Sequence, residues 1–299
     1  MTGRAGAGRR REVRAAYLLL APAVVLLVGV LAYPVGWEVW TSLTDLSPLK
    51  DGGAAFVGLE NYRRLAVDEQ FWRAATVTLT YAVVTSVAKM AIGVGFALLL
   101  ARPFRGRALV FLAVFLPWAY PASVSVIGWY WTLNPPIPTA YSIFMGNVKW
   151  AVDGALGGGA WAFISVTLFN VWRGSSFIGV LLLAAINAVP PELFECALLE
   201  SRSAWRRFWL VTVPLLKPFL ALAVFLSLTT AFVDLANVWM LTGGRIVFPV
   251  IGTQAYWLAI RGGQFGPASA LSLTLVPFLL AVLLLLFRAI DRPEREEPA

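Results

Sequence analysis

Six apolar stretches, each long enough to cross a lipid bilayer, constrain this chain more than any other feature. A spanning helix needs about 20 mostly apolar residues. The stretches run roughly Ala15–Trp37, Ala75–Ala101, Ala108–Trp131, Trp161–Ala188, Leu215–Met240 and Pro267–Phe287. Of the 299 residues, 59% are hydrophobic and 13% charged, whereas about a quarter of a soluble domain is charged. That much apolar surface cannot be hidden in a core of this size, so lipid is its natural solvent. Pro22, Pro34, Pro117, Pro121 and Pro277 lie inside or at the ends of these stretches; membrane bundles tolerate such residues because neighbouring helices satisfy the freed backbone. The sequence therefore predicts an all-α polytopic membrane protein with six transmembrane helices over 15–288, a basic tail over 1–14 and a charged tail over 289–299. Arg9, Arg10, Arg11 and Arg14 before the first stretch resemble the charged region of a signal peptide. The length of the stretch, with no small-x-small exit, reads instead as an uncleaved anchor.

The composition excludes several chemistries. A single cysteine, Cys196, rules out a disulfide framework, and the absence of histidine removes the commonest general base and metal ligand. No catalytic or metal-ligating residues are assigned. No Gly-x-x-x-x-Gly-Lys-Ser/Thr motif appears, so the chain itself is not expected to bind nucleotide. The Gly-rich segment 151–160 lacks the Lys-Ser/Thr of a phosphate cradle and reads as a flexible connector. The Gly/Arg-rich residues 1–14 read as disordered up to the membrane.

The net charge is +8, and its placement is informative. With the N-terminus in the cytoplasm, the inside segments carry fifteen Lys and Arg and the outside segments seven. By the positive-inside rule both termini are cytoplasmic. Trp37, Trp40, Trp129, Trp131, Trp161, Trp239 and Trp257 fall near the outer boundaries, where amphipathic rings favour the interface.

The inside segment from Pro190 to Pro218 is more than a connector. Pro191 suits a first helical position, Glu192 and Glu195 complement the helix dipole, and Leu193, Ala197 and Leu199 supply apolar contacts. The Trp205–Leu210 stretch is basic and aromatic. Residues 190–214 thus form either a surface helix on lipid headgroups or a docking knob for a soluble partner.

That segment resembles the coupling loop of binding-protein-dependent ABC permeases, with its Glu-Ala-Ala, Gly, Phe and Leu-Pro pattern. Glu195, Cys196 and Ala197 occupy the Glu-Ala-Ala positions, Phe208 the aromatic one, and Val213-Pro214 the Leu-Pro. Glu200, Ser201 and Arg202 stand where the family has Asp-Gly-Ala, placing a side chain where glycine would allow a tight turn. Leu18–Pro22, Tyr33-Pro34, Ser42-Leu43-Thr44, Phe56–Tyr62, Leu116-Pro117-Trp118 and Asn170–Gly174 extend the resemblance over nearly the whole chain. They point to the first of the two paired subunits of the maltose/trehalose/glycerol-phosphate-type sugar permeases. The resemblance implies a type I importer permease fold in the bacterial inner membrane. It also implies a second permease subunit, two copies of an ATP-binding subunit that hold ATP and magnesium, and an extracytoplasmic binding protein. The chain would need no cofactor of its own and no nucleic acid.

Polar groups within spans are functional candidates. Asn170, Gly174 and Phe177 share one face of the fourth span, and Ser227, Ala231 and Asp234 share one face of the fifth. Trp118 and Ala122 repeat the four-residue spacing on the third. An amide, a gap and a ring in one stripe suit a sugar. The resemblance implies substrate contacts at Trp118, Ala122, Asn170, Arg173, Gly174, Phe177, Ser227 and Ala231; close helix packing is the competing reading of Gly174 and Ser227. Arg173 is expected to reach toward Asp234 as an interhelical pair, with an anion site for a phosphorylated polyol as the rival. Lys89, in the middle of the second span, is left between a partner-subunit contact and a water-lined path. Two other functions are open to an apolar bundle of this kind. A self-contained secondary transporter often carries paired intramembrane carboxylates and repeated halves, whereas only Asp234 lies within a span here. A membrane-embedded enzyme would need a cluster of reactive groups.

Overall fold

The computed structural model describes residues 3–49, 53–133, 160–201, 203–242 and 248–290. The connector over 151–159 and the residues after 290 lie outside these.

The described chain is a bundle of helices with one isolated β-bridge, Thr44 to Phe56. Helix α1 (Gly3–Ser42) begins well before the membrane stretch, so the tail expected to be disordered is helical from Gly3 onward; Pro22 and Pro34 are absorbed within it. After a short α2 (Glu60–Val67), α3 (Glu69–Leu100) starts at Asp68, whose carboxylate caps it by accepting from the Gln70 N–H at 2.9 Å. The long α6 (Ala160–Ala188) packs along α3 more extensively than any other pair. Gly93 allows that approach: a Cβ there would lie 2.6 Å from Ile178 Cγ2.

The third span is not one helix. It divides into α4 (Arg107–Ala119) and α5 (Ala122–Leu133), which meet at 93°. Pro121 explains the break. Proline lacks an N–H and pushes the preceding residue out of the helical region, and Tyr120 is extended at φ −71°, ψ 144°.

The 190–214 segment, helix-compatible in its sequence, is mostly helix. It forms α7 (Pro191–Glu200), then α8 (Ala204–Arg207), capped by Ser203. From α8 a π-turn over Phe208–Thr212 leads into α9 (Val213–Phe232), so the fifth membrane helix starts at Ala204 rather than near Leu215. It also ends earlier than the sequence implied: the chain breaks at Val233–Asp234 before α10 (Leu235–Leu241). A short α11 (Ile251–Tyr256) and a second π-turn (Trp257–Arg261) precede α12 (Phe265–Leu273) and α13 (Leu275–Ile290). The last two together make the sixth candidate span, Phe265–Arg288.

At the end of the bundle opposite α7, the residues after α1 are tied down by side chains. The Asn61 amide donates to the carbonyls of Ser42 and Thr44, both at 2.8 Å, and the Tyr62 hydroxyl donates to Ser42 Oγ. This is the physical content of the Phe56–Tyr62 motif. The main core lies around Tyr81, Phe169, Phe232 and Phe248. None of the apolar window in Ala15–Ser42 is buried, against 50% of that in Ala162–Ala188. The first helix therefore presents its sides to lipid or another chain, while the fourth span carries the centre of the fold.

Candidate functional site in the membrane bundle

The break between α9 and α10 is organised around one carboxylate. Asp234 is 7% exposed. Its Oδ2 accepts from the Tyr81 hydroxyl and the Asn170 amide, each at 2.8 Å, and its Oδ1 accepts from the Asn237 amide at 2.7 Å. Three elements (α3, α6 and α10) thus converge on two oxygen atoms. A buried carboxylate is tolerable only when hydrogen-bonded in this way.

Arg173 does not pair with Asp234. Its Nη2 instead donates to the carbonyl of Tyr120 at 3.2 Å. That carbonyl sits at the α4–α5 break, where the 93° bend takes it out of the helical ladder; the donor lost to Pro121 would have served the Pro117 carbonyl. The guanidinium therefore repairs the broken helix, a second reason why the expected ion pair fails to form. Arg173 Nε and Asn170 Oδ1 are both buried without a hydrogen-bond partner.

Beside these groups lies a cavity of about 120 Å³, lined by Lys89, Trp118, Phe169, Asn170, Arg173, Gly174, Phe177, Ile178, Leu226, Ser227, Thr230, Asp234 and Asn237. At roughly 10–15 Å³ per water, it has room for on the order of ten heavy atoms. The Trp118 and Phe177 rings meet at its wall, 5.4 Å apart. Seven of the nine sequence candidates converge here. Ala122 and Ala231 do not line the cavity, and Ala231 is buried in the main core. Ser227 lines it, but its hydroxyl is spent on an interhelical bond to Ser86 Oγ at 2.9 Å, in line with the packing reading.

Sequence reasoning left out Tyr81, Thr230 and Asn237 and did not place Lys89. Asn237 is three residues beyond Asp234 and Thr230 three beyond Ser227, a helical spacing that was there to be read. Lys89 is 2% exposed and its stem crosses Gly174, where a Cβ would lie 2.3 Å from Lys89 Cδ. The bare backbone at 174 thus admits a lysine from the neighbouring helix.

The α7 segment has two sides. Ala197 is buried at 5%, whereas Cys196 is exposed and Leu199 is 90% exposed. Phe208 faces the bundle, lining an apolar crevice with Val94, Leu182 and Ile186, and Pro214 lies exposed in the first turn of α9. Ser201 has φ −153°, extended backbone that any residue adopts, so the missing family glycine creates no strain. Its side chain also fastens the turn: Ser201 Oγ accepts from the Ser203 N–H at 3.2 Å, and Arg207 Nη1 donates to the Ser201 carbonyl at 2.7 Å. The Glu200 side chain and Arg202 lie outside the described residues.

Comparison with known proteins places this architecture. The chain is 32% identical over 264 residues to the trehalose transport system permease protein SugA of Mycobacterium tuberculosis, covering 88% of this chain and 84% of that one. It is 31% identical over 243 residues to the trehalose/maltose transport system permease protein MalF of Thermococcus litoralis, covering 78% and 79%. Among solved structures, a bacterial ABC transporter that imports the acidic polysaccharide alginate superposes with a TM-score of 0.73 at 19% identity, over 95% of this chain and 98% of that one. No family model matches the sequence. With a break-prone six-span bundle, a two-sided helix at one end and these relatives over most of its length, the chain belongs to the permease subunits of sugar ABC transporters.

Proposed function

We propose that this chain forms half of the translocation pathway of an ATP-driven importer, in which a saccharide delivered by an external binding protein passes through the cavity beside Asp234. The carrying observation is the cavity itself. It combines an aromatic wall at Trp118 and Phe177 with two buried polar atoms left without partners, the acceptor Asn170 Oδ1 and the donor Arg173 Nε. Sugar rings offer an apolar face to the first and hydroxyls, which both donate and accept, to the second. Asn170, Arg173, Gly174, Phe177, Trp118, Ser227 and Asp234 are the residues assigned to this pathway.

The second permease subunit completes the pathway, and two ATP-binding subunits, which hold the nucleotide and magnesium, drive it. One of them docks on the exposed side of α7, with Glu195, Cys196 and Ser201 toward the ATPase and Ala197 and Phe208 anchoring the helix to the bundle. Both termini and α7 then lie in the cytoplasm of a bacterial inner membrane.

A tagged copy expressed in its own host tests this reading. It should co-purify with an ATPase and a second permease, and in that complex Asn170→Ala should reduce saccharide uptake at least tenfold. Purification as an active transporter without either partner would favour a secondary transporter and overturn the proposal. Cys196 provides a topology readout without engineering: a membrane-impermeant maleimide should label it in inside-out vesicles stripped of the ATPase and not in intact cells.

A further inference from the structure

The cavity holds more positive charge than its own residues neutralise. Lys89, Arg173 and Asp234 are its charged lining groups, and together they carry a net single positive charge when all are ionised. The carboxylate is fully engaged by Tyr81, Asn170 and Asn237, so neither cation is paired with it directly. Among the described residues, the ion pairs within 4.0 Å join Glu60 to Arg63 and Arg64, on α2.

Donors also exceed acceptors. An ammonium has three N–H groups, and Lys89 Nζ makes one hydrogen bond, at 3.3 Å, to the Ser227 carbonyl. That carbonyl already accepts from the Thr230 hydroxyl at 3.0 Å. Arg173 Nε has no partner. Against these stands one unpartnered lining acceptor, Asn170 Oδ1. A buried cation whose hydrogen bonds are unfilled is a costly feature that calls for an acceptor-rich counterpart. A neutral sugar hydroxyl supplies an acceptor and a donor together; a carboxylate or sulfonate supplies acceptors only, with the opposite charge.

We infer that the cargo of this permease is an acidic saccharide, whose anionic group is received between Lys89 and Arg173 while its ring lies against Trp118 and Phe177. This rests on the assignment of the cavity as the saccharide path and narrows it. Lys89 becomes a specificity-determining residue, and Gly174 is the opening that lets its stem reach the cavity.

The experiment is uptake of radiolabelled saccharides by cells carrying the complete transporter. The panel contains neutral disaccharides (trehalose, maltose, cellobiose) and acidic ones (a uronic-acid-containing disaccharide and a sulfonated glycoside). An acidic member should be transported, and a tenfold excess of the neutral ones should not displace it. Lys89→Met keeps most of the stem that crosses Gly174 and removes the charge; it should lower acidic uptake at least tenfold, and Arg173→Gln should do the same. Co-purification with the ATPase subunit establishes that each variant is folded and assembled. Uptake confined to neutral saccharides, or acidic uptake unchanged in an assembled Lys89→Met complex, would overturn the inference while leaving the saccharide path intact. Uptake of no saccharide at all would sink both.

Discussion

The third and fifth spans both break, and they break for different reasons. Between α4 and α5 the cause is in the backbone: Pro121 removes a donor and forces Tyr120 into an extended conformation. Arg173 then serves the Tyr120 carbonyl, which the bend takes out of the ladder. Between α9 and α10 there is no proline. The turn at Val233–Asp234 is held by a carboxylate that takes donors from the distant α3 and α6 as well as from the adjoining α10. One break is written in a single residue; the other depends on long-range contacts and exists only once the bundle has assembled. The first is therefore a fixed corner, and the second a joint whose geometry can change if its donors let go.

Three substitutions test that contrast. The largest effect is expected from Asp234→Ala, which strands three buried donors and should cost roughly 3–5 kcal/mol, as does breaking a buried charged network. Thermal unfolding of the purified complex would show this as a loss of most of its stability, together with loss of uptake. Tyr81→Phe removes one hydrogen bond to the carboxylate and should cost about 1.5–3 kcal/mol, with a smaller fall in melting temperature. Pro121→Ala should have the least effect, within about 1 kcal/mol, because it restores a single N–H, able to donate to the Pro117 carbonyl, and leaves the buried network untouched. If Pro121→Ala proves the most damaging of the three, the distinction between corner and joint is reversed.

The same contrast explains what could be read from the sequence. The spans were legible because apolar length is a local property, and the break was latent in Pro121, a residue type that membrane helices often tolerate. The Glu195–Pro214 segment was legible through its motif, although the start of the fifth helix at Ala204 was not. There the basic and aromatic residues of α8 masked a helix that continues without interruption into the membrane. Asn170, Phe177 and Trp118 were found because they share helical faces. The partnering of Asp234 was not legible. Charge alone suggested Arg173, whereas the three donors that hold it are neutral, and Tyr81 is 153 residues away in sequence. Lys89 was conspicuous as a lone cation in an apolar run, but its place depended on the absence of a side chain at Gly174, and a pattern read along one helix does not contain that.

The Lys89 stem occupies the volume that a methyl group at position 174 would need. The two positions thus share one allotment of space, so that a side chain at 174 requires the lysine stem to move. In a homologous permease with alanine or serine at 174, the residue corresponding to Lys89 should be shorter, and that permease should have lost the cation along with the room for it. Covariation at this pair would then record, across related transporters, which lineages carry a charged solute and which have given it up.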